Sequence, residues 1–208
     1  VALSAPSFNE ADVSDKPGRI QRRPLYGQAG IDRLQDVFEG RQEALQSVDD
    51  AVAGLVQHLD DLGELDNTLI IFTSDNGFLL GEHRYLGKLF GYEEALRVPL
   101  LMRGPGIAPR QVSDRVVTTT DVAPTILEAA GATPGRRVDG RSFLDAGSAD
   151  TYAADQAVLI QAGNKNRARV GQPGWWFRGV RIGRYTYTRW YDGFEAVSYT
   201  HLRAHETV

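Results

Sequence analysis

Cysteine is absent from all 208 residues, and methionine occurs once. The first absence excludes disulfides, thiolate metal sites and a cysteine nucleophile within this chain, and it leaves the compartment open. No apolar run approaches the roughly 20 residues that a membrane-spanning helix needs, so no membrane span is expected. Positive charge is not in excess either. The 23 Lys and Arg stand against 27 Asp and Glu, a formal net charge of −4, and no element gathers the basic residues into a stripe. Nucleic acid is therefore not an expected partner. The chain opens at Val1 without a charged-then-apolar leader, which leads us to expect a piece of a longer protein.

What is present suffices for a core. With 42% hydrophobic residues, the length allows one domain or one and a half. The opening SAPSFNEADVSDKPGRIQRRP is rich in Ser, Pro, Asp and Asn and predicts irregular surface structure. From about Ile31 to Leu62 apolar residues recur at three and four, including Leu34, Leu45, Val48, Val52, Leu55 and Leu59. That spacing predicts a long amphipathic helix with one buried stripe, ended by Gly63. Thr68 to Thr73 is a short β-branched run, the pattern of a strand covered on both faces, and Val98 to Met102 is a second one. VAPTILEAAG after Thr120-Asp121 predicts an N-capped helix with Gly131 at its end. Alternating helices and strands predict an α/β layer fold with a mostly parallel sheet. Residues 157 to 191 instead show period-2 alternation with Gly183 as a turn, the mark of a small antiparallel region.

Chemistry concentrates in TSDNGFLLGEHRYLGK, residues 73 to 88, directly after the first strand run. In an open α/β sheet ligands bind beyond the carboxyl ends of strands, which is where Asp75 and Asn76 fall. Their oxygens suit calcium or magnesium better than zinc. The same S-D-N-G string, taken alone, is more often an ordinary turn, in which Asp bonds its own backbone and Asn-Gly supplies positive φ. His83 and Lys88 follow in the same loop, so an acid, an amide, an imidazole and an ammonium converge on one stretch. An ammonium about 4 Å from an anion is worth about 4 kcal/mol at an effective dielectric near 20.

The run IIFTSDNGFLLGEHRYLGKLFGYEEALRVPLLMRGPGI resembles the second metal-binding segment of the type I sulfatases, of the alkaline-phosphatase-like superfamily. SFNEADVSDKP, RQEALQSVDDAVAGLVQHLDDLGELDNT, TTDVAPTILEAAG and VDGRSF stand around it in the order that family shows, so the likeness covers roughly residues 6 to 194. The wording is most similar to the N-acetylglucosamine-6-sulfatase group and its bacterial relatives. The resemblance implies an α/β alkaline-phosphatase-like three-layer sandwich, present in part, followed by the start of a small antiparallel C-terminal subdomain. It assigns Asp75 and Asn76 to a calcium ion, with magnesium as the alternative, and Lys88 to the sulfate of the substrate. His83 matches a histidine found in some branches only. Asp49, Glu93, Glu94, Arg97 and Asp121 read as helix surface, caps and loop anchors. The expected substrate is a sulfated small molecule or glycan, and the expected location secreted or periplasmic.

The family also draws a formylglycine nucleophile from a C/S-x-P-x-R motif, and this chain has none. Ser4-Ala5-Pro6-Ser7 is followed by Phe8 instead of Arg. Calcium takes six to eight oxygens, so one Asp and one Asn leave most of its shell to other residues or water. We therefore expect residues 1–150 to be the C-terminal part of a catalytic domain and 151–195 the start of the antiparallel region. Residues 196–208 read as a non-native tail, since AVSYTHLRAHETV replaces the strand the family would continue with; His201 and His205 at four-residue spacing are discounted as a metal site for the same reason. Two rivals stay open: a phosphomonoester or phosphonate monoester hydrolase of the same superfamily, and a noncatalytic sulfated-glycan-binding homologue. Trp175 and Trp176 are expected to pack within a hairpin.

Overall fold

A computed structural model describes residues 5–144, 156–163 and 174–199. Pro17 begins a single turn, α1 (Gly18–Gln21), which directs Ile20 inward. The long helix α2 (Gln28–Asp61) follows, as its spacing predicts. Gly63 at φ 71° ends it: Gly63 N–H bonds to the Asp60 carbonyl and Glu64 N–H to that of Leu59, the two bonds of a left-handed helix terminus. Then come β1 (Ile70–Thr73), the short strands β2 (Leu79–Leu80) and β3 (Leu86–Gly87), α3 (Glu93–Leu96), β4 (Leu100–Arg103) and α4 (Val122–Ala129). Four strands close the order, β5 (Val158–Gly163), β6 (Trp175–Ile182), β7 (Tyr185–Trp190) and β8 (Glu195–Tyr199). They form one antiparallel sheet in sequence order, with Gly183 at φ 53° in the β6–β7 turn.

Four expectations need correction. β1 and β4 pair antiparallel, Ile70 opposite Arg103 and Thr73 opposite Leu100, so the first sheet is not parallel over these strands. The segment joining them holds the β2–β3 hairpin and, as its one helix, the four-residue α3, so it lays no crossover helix along the sheet, which a parallel pair would need. The apolar run in β1 is not covered on both faces, because Phe72 and its partner Leu101 are exposed. Nor is the α2 stripe buried: Leu34 is its one buried residue, while Leu45 and Leu55 are each about half exposed. In both elements the pattern demands a neighbouring layer, and none of the described residues supplies it. Finally, the N-terminal segment is irregular but not merely superficial, since Val13 and Ile20 enter the core.

That core joins three stretches distant in sequence. Val13 and Ile20 meet Leu79, Phe90, Phe177 and Trp190, so the N-terminal segment, the loop after β1 and the C-terminal sheet share one apolar centre. Phe90 lies 5.3 Å from the ring of Trp190, and Arg19 sits 5.0 Å over Trp176, which packs against the same centre. β8 takes in the first residues of the stretch read as a tail, pairing Thr186 with Ser198. His201 and His205, and the boundary near residue 150, lie outside the described residues.

Candidate functional site

The turn after β1 is built on its own side chains. Asp75 Oδ1 accepts the Asn76 N–H at 2.8 Å, and Ser74 Oγ donates to the Asn76 carbonyl at 3.1 Å. The Asn76 amide is oriented by Nδ2, which donates to the Gly77 carbonyl at 2.9 Å. Gly77 in turn donates its N–H to the Ala95 carbonyl at 3.0 Å, and a Cβ built there would stand 2.1 Å from the Glu94 carbonyl oxygen. Only glycine allows so close an approach of the turn to α3. The β2–β3 hairpin then returns the chain, so Lys88 comes back beside the turn it left. Its Nζ donates to Asn76 Oδ1 at 2.8 Å and lies 3.9 Å from Asp75 Oδ2.

Asp75 thus holds the turn with one oxygen and turns the other toward the Lys88 ammonium. The three side chains line one broad, open cleft of about 2420 Å³, whose walls also include Glu93, Arg97 and Arg181. A positive group already stands against both oxygens, so the donor set fits a hard cation in kind. In number it is incomplete, because among the described residues no three His, Cys, Asp or Glu side chains group as a metal shell.

His83 goes elsewhere. Its Nδ1 is 2.8 Å from Glu10 Oε2, its ring lies 4.1 Å from that of Tyr92, and it is not among the residues lining the cleft. Arg84 beside it donates to the carbonyls of Glu10, Ala11 and Arg23, and both residues take positive φ to do so. The structure therefore brings together Asp75, Asn76 and Lys88 and sets His83 at the seam with the N-terminal segment. At this seam burial, with the Asp15, Glu10 and Glu94 carboxylates adding to it, pushes the Tyr92 phenol far above its ordinary value.

Sequence reasoning missed Glu10 as the partner of His83, and Arg181, which grips Glu93 with Nε 2.8 Å from Oε1 and a second contact at 3.4 Å. Neither pairing leaves a local signal, since the partners are 73 and 88 residues apart. Asp121, read as an anchor, is one: its buried carboxylate accepts from Thr118 N, Thr118 Oγ1 and Arg141 N.

Residues 7–132 match the family profile described as Sulfatase. This chain belongs to the sulfatase family. A second profile, N-sulphoglucosamine sulphohydrolase C-terminal, matches residues 81–204 of the sulfatase chain. Among curated relatives, an arylsulfatase of Volvox carteri is 39% identical over 193 residues, covering 87% of this chain and 29% of the relative. The N-acetylglucosamine-6-sulfatase of Bos taurus is 41% identical over 143 residues, covering 66% of this chain and 26% of its own length. Among solved structures, a protein in complex with its substrate D-glucosamine-2-N,6-O-disulfate superposes with TM-score 0.63 at 29% identity, over 74% of this chain and 32% of that one. A phosphonate monoester hydrolase from Silicibacter pomeroyi superposes with TM-score 0.62 at 27% identity, over 75% and 33%. The fold is that of the alkaline-phosphatase-like sulfatases, α/β with an antiparallel four-stranded sheet at its C-terminal end. The sulfatase chain spans less than a third of the length of these curated relatives. No described helix is long and apolar enough to cross a membrane.

Proposed function

We propose that the protein carrying this chain hydrolyses the sulfuric ester of a sulfated sugar, and that Asp75, Asn76 and Lys88 are its half of the sulfate-binding site. The observation that carries the reading is the return of Lys88 Nζ to 2.8 Å from Asn76 Oδ1 and 3.9 Å from Asp75 Oδ2, in a cleft wall built by the strand end. Asp75 Oδ2 and Asn76 Oδ1 would hold a calcium ion, or magnesium in its place, with further oxygens from outside this chain. A bound divalent ion supplies positive charge to the sulfate oxygens. Lys88 adds a mobile, strongly hydrated point charge on a flexible stem, able to leave the two oxygens and meet a sulfate oxygen in the cleft. Its part is to neutralise charge that grows on the transferring group, a contribution that raises rate more than affinity. The nucleophile, a formylglycine by family likeness, comes from elsewhere in the protein. Support for a sugar substrate comes from the likeness to the N-acetylglucosamine-6-sulfatase and to the complex with a glucosamine disulfate.

The similarity to a phosphonate monoester hydrolase supports a second reading, in which the same cations face a phosphonate. Initial rates of the full-length protein on glucosamine 6-sulfate, an aryl sulfate and an aryl phosphonate, before and after chelation, separate the two. The proposal expects sulfate release that chelation abolishes and calcium restores. Turnover of the phosphonate alone would transfer the site to the second reading, and no turnover of any ester would favour a noncatalytic binder.

A further inference from the structure

Arg181 of β6 reaches out of the C-terminal sheet to the first residue of α3. Its guanidinium spans both carboxylate oxygens of Glu93, at 2.8 and 3.4 Å, and the two side chains are only 17% and 20% exposed. From α3 a continuous path leads to the cleft. The Ala95 carbonyl receives the Gly77 N–H, the Gly77 carbonyl receives Asn76 Nδ2, and Asn76 Oδ1 receives Lys88 Nζ. The segment between Lys88 and Glu93 is pressed on the same sheet, because a Cβ on Gly91 would lie 2.8 Å from Thr188 Cγ2 and 3.4 Å from Phe177.

Building on the proposed role of Asp75 and Asn76, we propose that the Glu93–Arg181 pair is a positioning device by which the C-terminal sheet sets the Asn76 amide. A largely buried ion pair is poor evidence of stabilisation, since desolvation offsets much of the attraction. A forked guanidinium on a carboxylate does, however, fix direction as well as distance. Here that direction passes to an asparagine whose amide must present oxygen, not nitrogen, to the cation. Gly77 secures the last step, because the turn cannot slide along α3 without losing the Ala95 bond. Arg181 and Glu93 are thus positioning residues that act through the turn, and the C-terminal sheet becomes part of the site without contributing a ligand.

The test uses the full-length protein with three read-outs: calcium affinity of the metal-stripped protein by calorimetry, melting temperature, and KM against kcat for an aryl sulfate. Arg181→Met and Glu93→Gln each strand a partner and should lower the melting temperature. The double variant removes both charges and should recover most of it. We expect the double variant still to bind calcium about 10- to 100-fold more weakly, the usual loss when a supporting partner of a ligand is removed, with KM raised. Recovery of calcium affinity and KM together with the melting temperature would overturn the proposal and leave the pair a structural tie. Arg181→Lys keeps the charge and removes the fork; it should weaken calcium at near-normal melting temperature, and normal affinity there would count against us. Asp75→Ala, run alongside, separates the layers of the argument. Unchanged calcium affinity in Asp75→Ala sinks the site itself, whereas lost affinity there beside a normal double variant sinks only the positioning role.

Discussion

Single residues at the seam beside the cleft carry measurable signatures. Tyr92 is held protonated by burial first and by Asp15, Glu10 and Glu94 second. An unfolded tyrosine titrates near 10, so above that pH the unfolded chain releases a proton that the native phenol keeps. Stability from this group is therefore fully present below about pH 10 and declines as pH rises further. Urea midpoints of the full-length protein from about pH 8 to 11 should fall more steeply at the alkaline end than those of Tyr92→Phe; matching slopes would show that the phenol does not titrate differently on unfolding. Of the candidate residues, the gathering of Asp75, Asn76 and Lys88 in one loop after a strand was legible in the sequence, whereas their roles rest on the family likeness. The seat of His83 was not legible, since its partner Glu10 lies in a segment whose composition marks only loop.

At the scale of elements, local rules served where local physics decides. The α2 spacing and the Gly63 terminus are both found as expected, and so is the Gly183 turn. Strand direction is decided by how a connection runs, which apolar periodicity does not encode, and β1 with β4 came out antiparallel. Burial likewise belongs to the partner as much as to the element, and the α2 stripe is open along Leu45, Val48 and Leu55. The start of α4 gives the sharpest element-level prediction. Thr118 and Asp121 form a reciprocal capping box on the single turn Thr119–Asp121 that leads into α4, and Asp121 Oδ1 also takes the Arg141 N–H at 2.8 Å, tying the segment after α4 to that turn. Thr125, fully buried, repeats the tie by accepting from Phe143 N at 3.0 Å. Asp121→Ala should cost about 1–2 kcal/mol by thermal or urea unfolding, because it removes the cap and leaves part-buried donors without their acceptor. Asp121→Asn should fall between, and an unchanged midpoint in Asp121→Ala would remove the anchor role.

Across the whole molecule, the N-terminal segment, the loop after β1 and the C-terminal sheet meet on one core through Val13, Phe90 and Trp190. None of these contacts is local, so sequence periodicity identified the pieces but not their shared centre. Family likeness supplied the site assignments, and the fold explains how they are held: the strand end places Asp75 and Asn76, and the hairpin returns Lys88. The most direct measurement is the initial rate of sulfate release from an aryl sulfate by the full-length protein and its Lys88→Ala variant, compared at equal melting temperature. Loss of the Lys88 cation at the transferring group should lower kcat/KM by about 10² to 10³-fold. Equal rates in the two proteins would contradict the account.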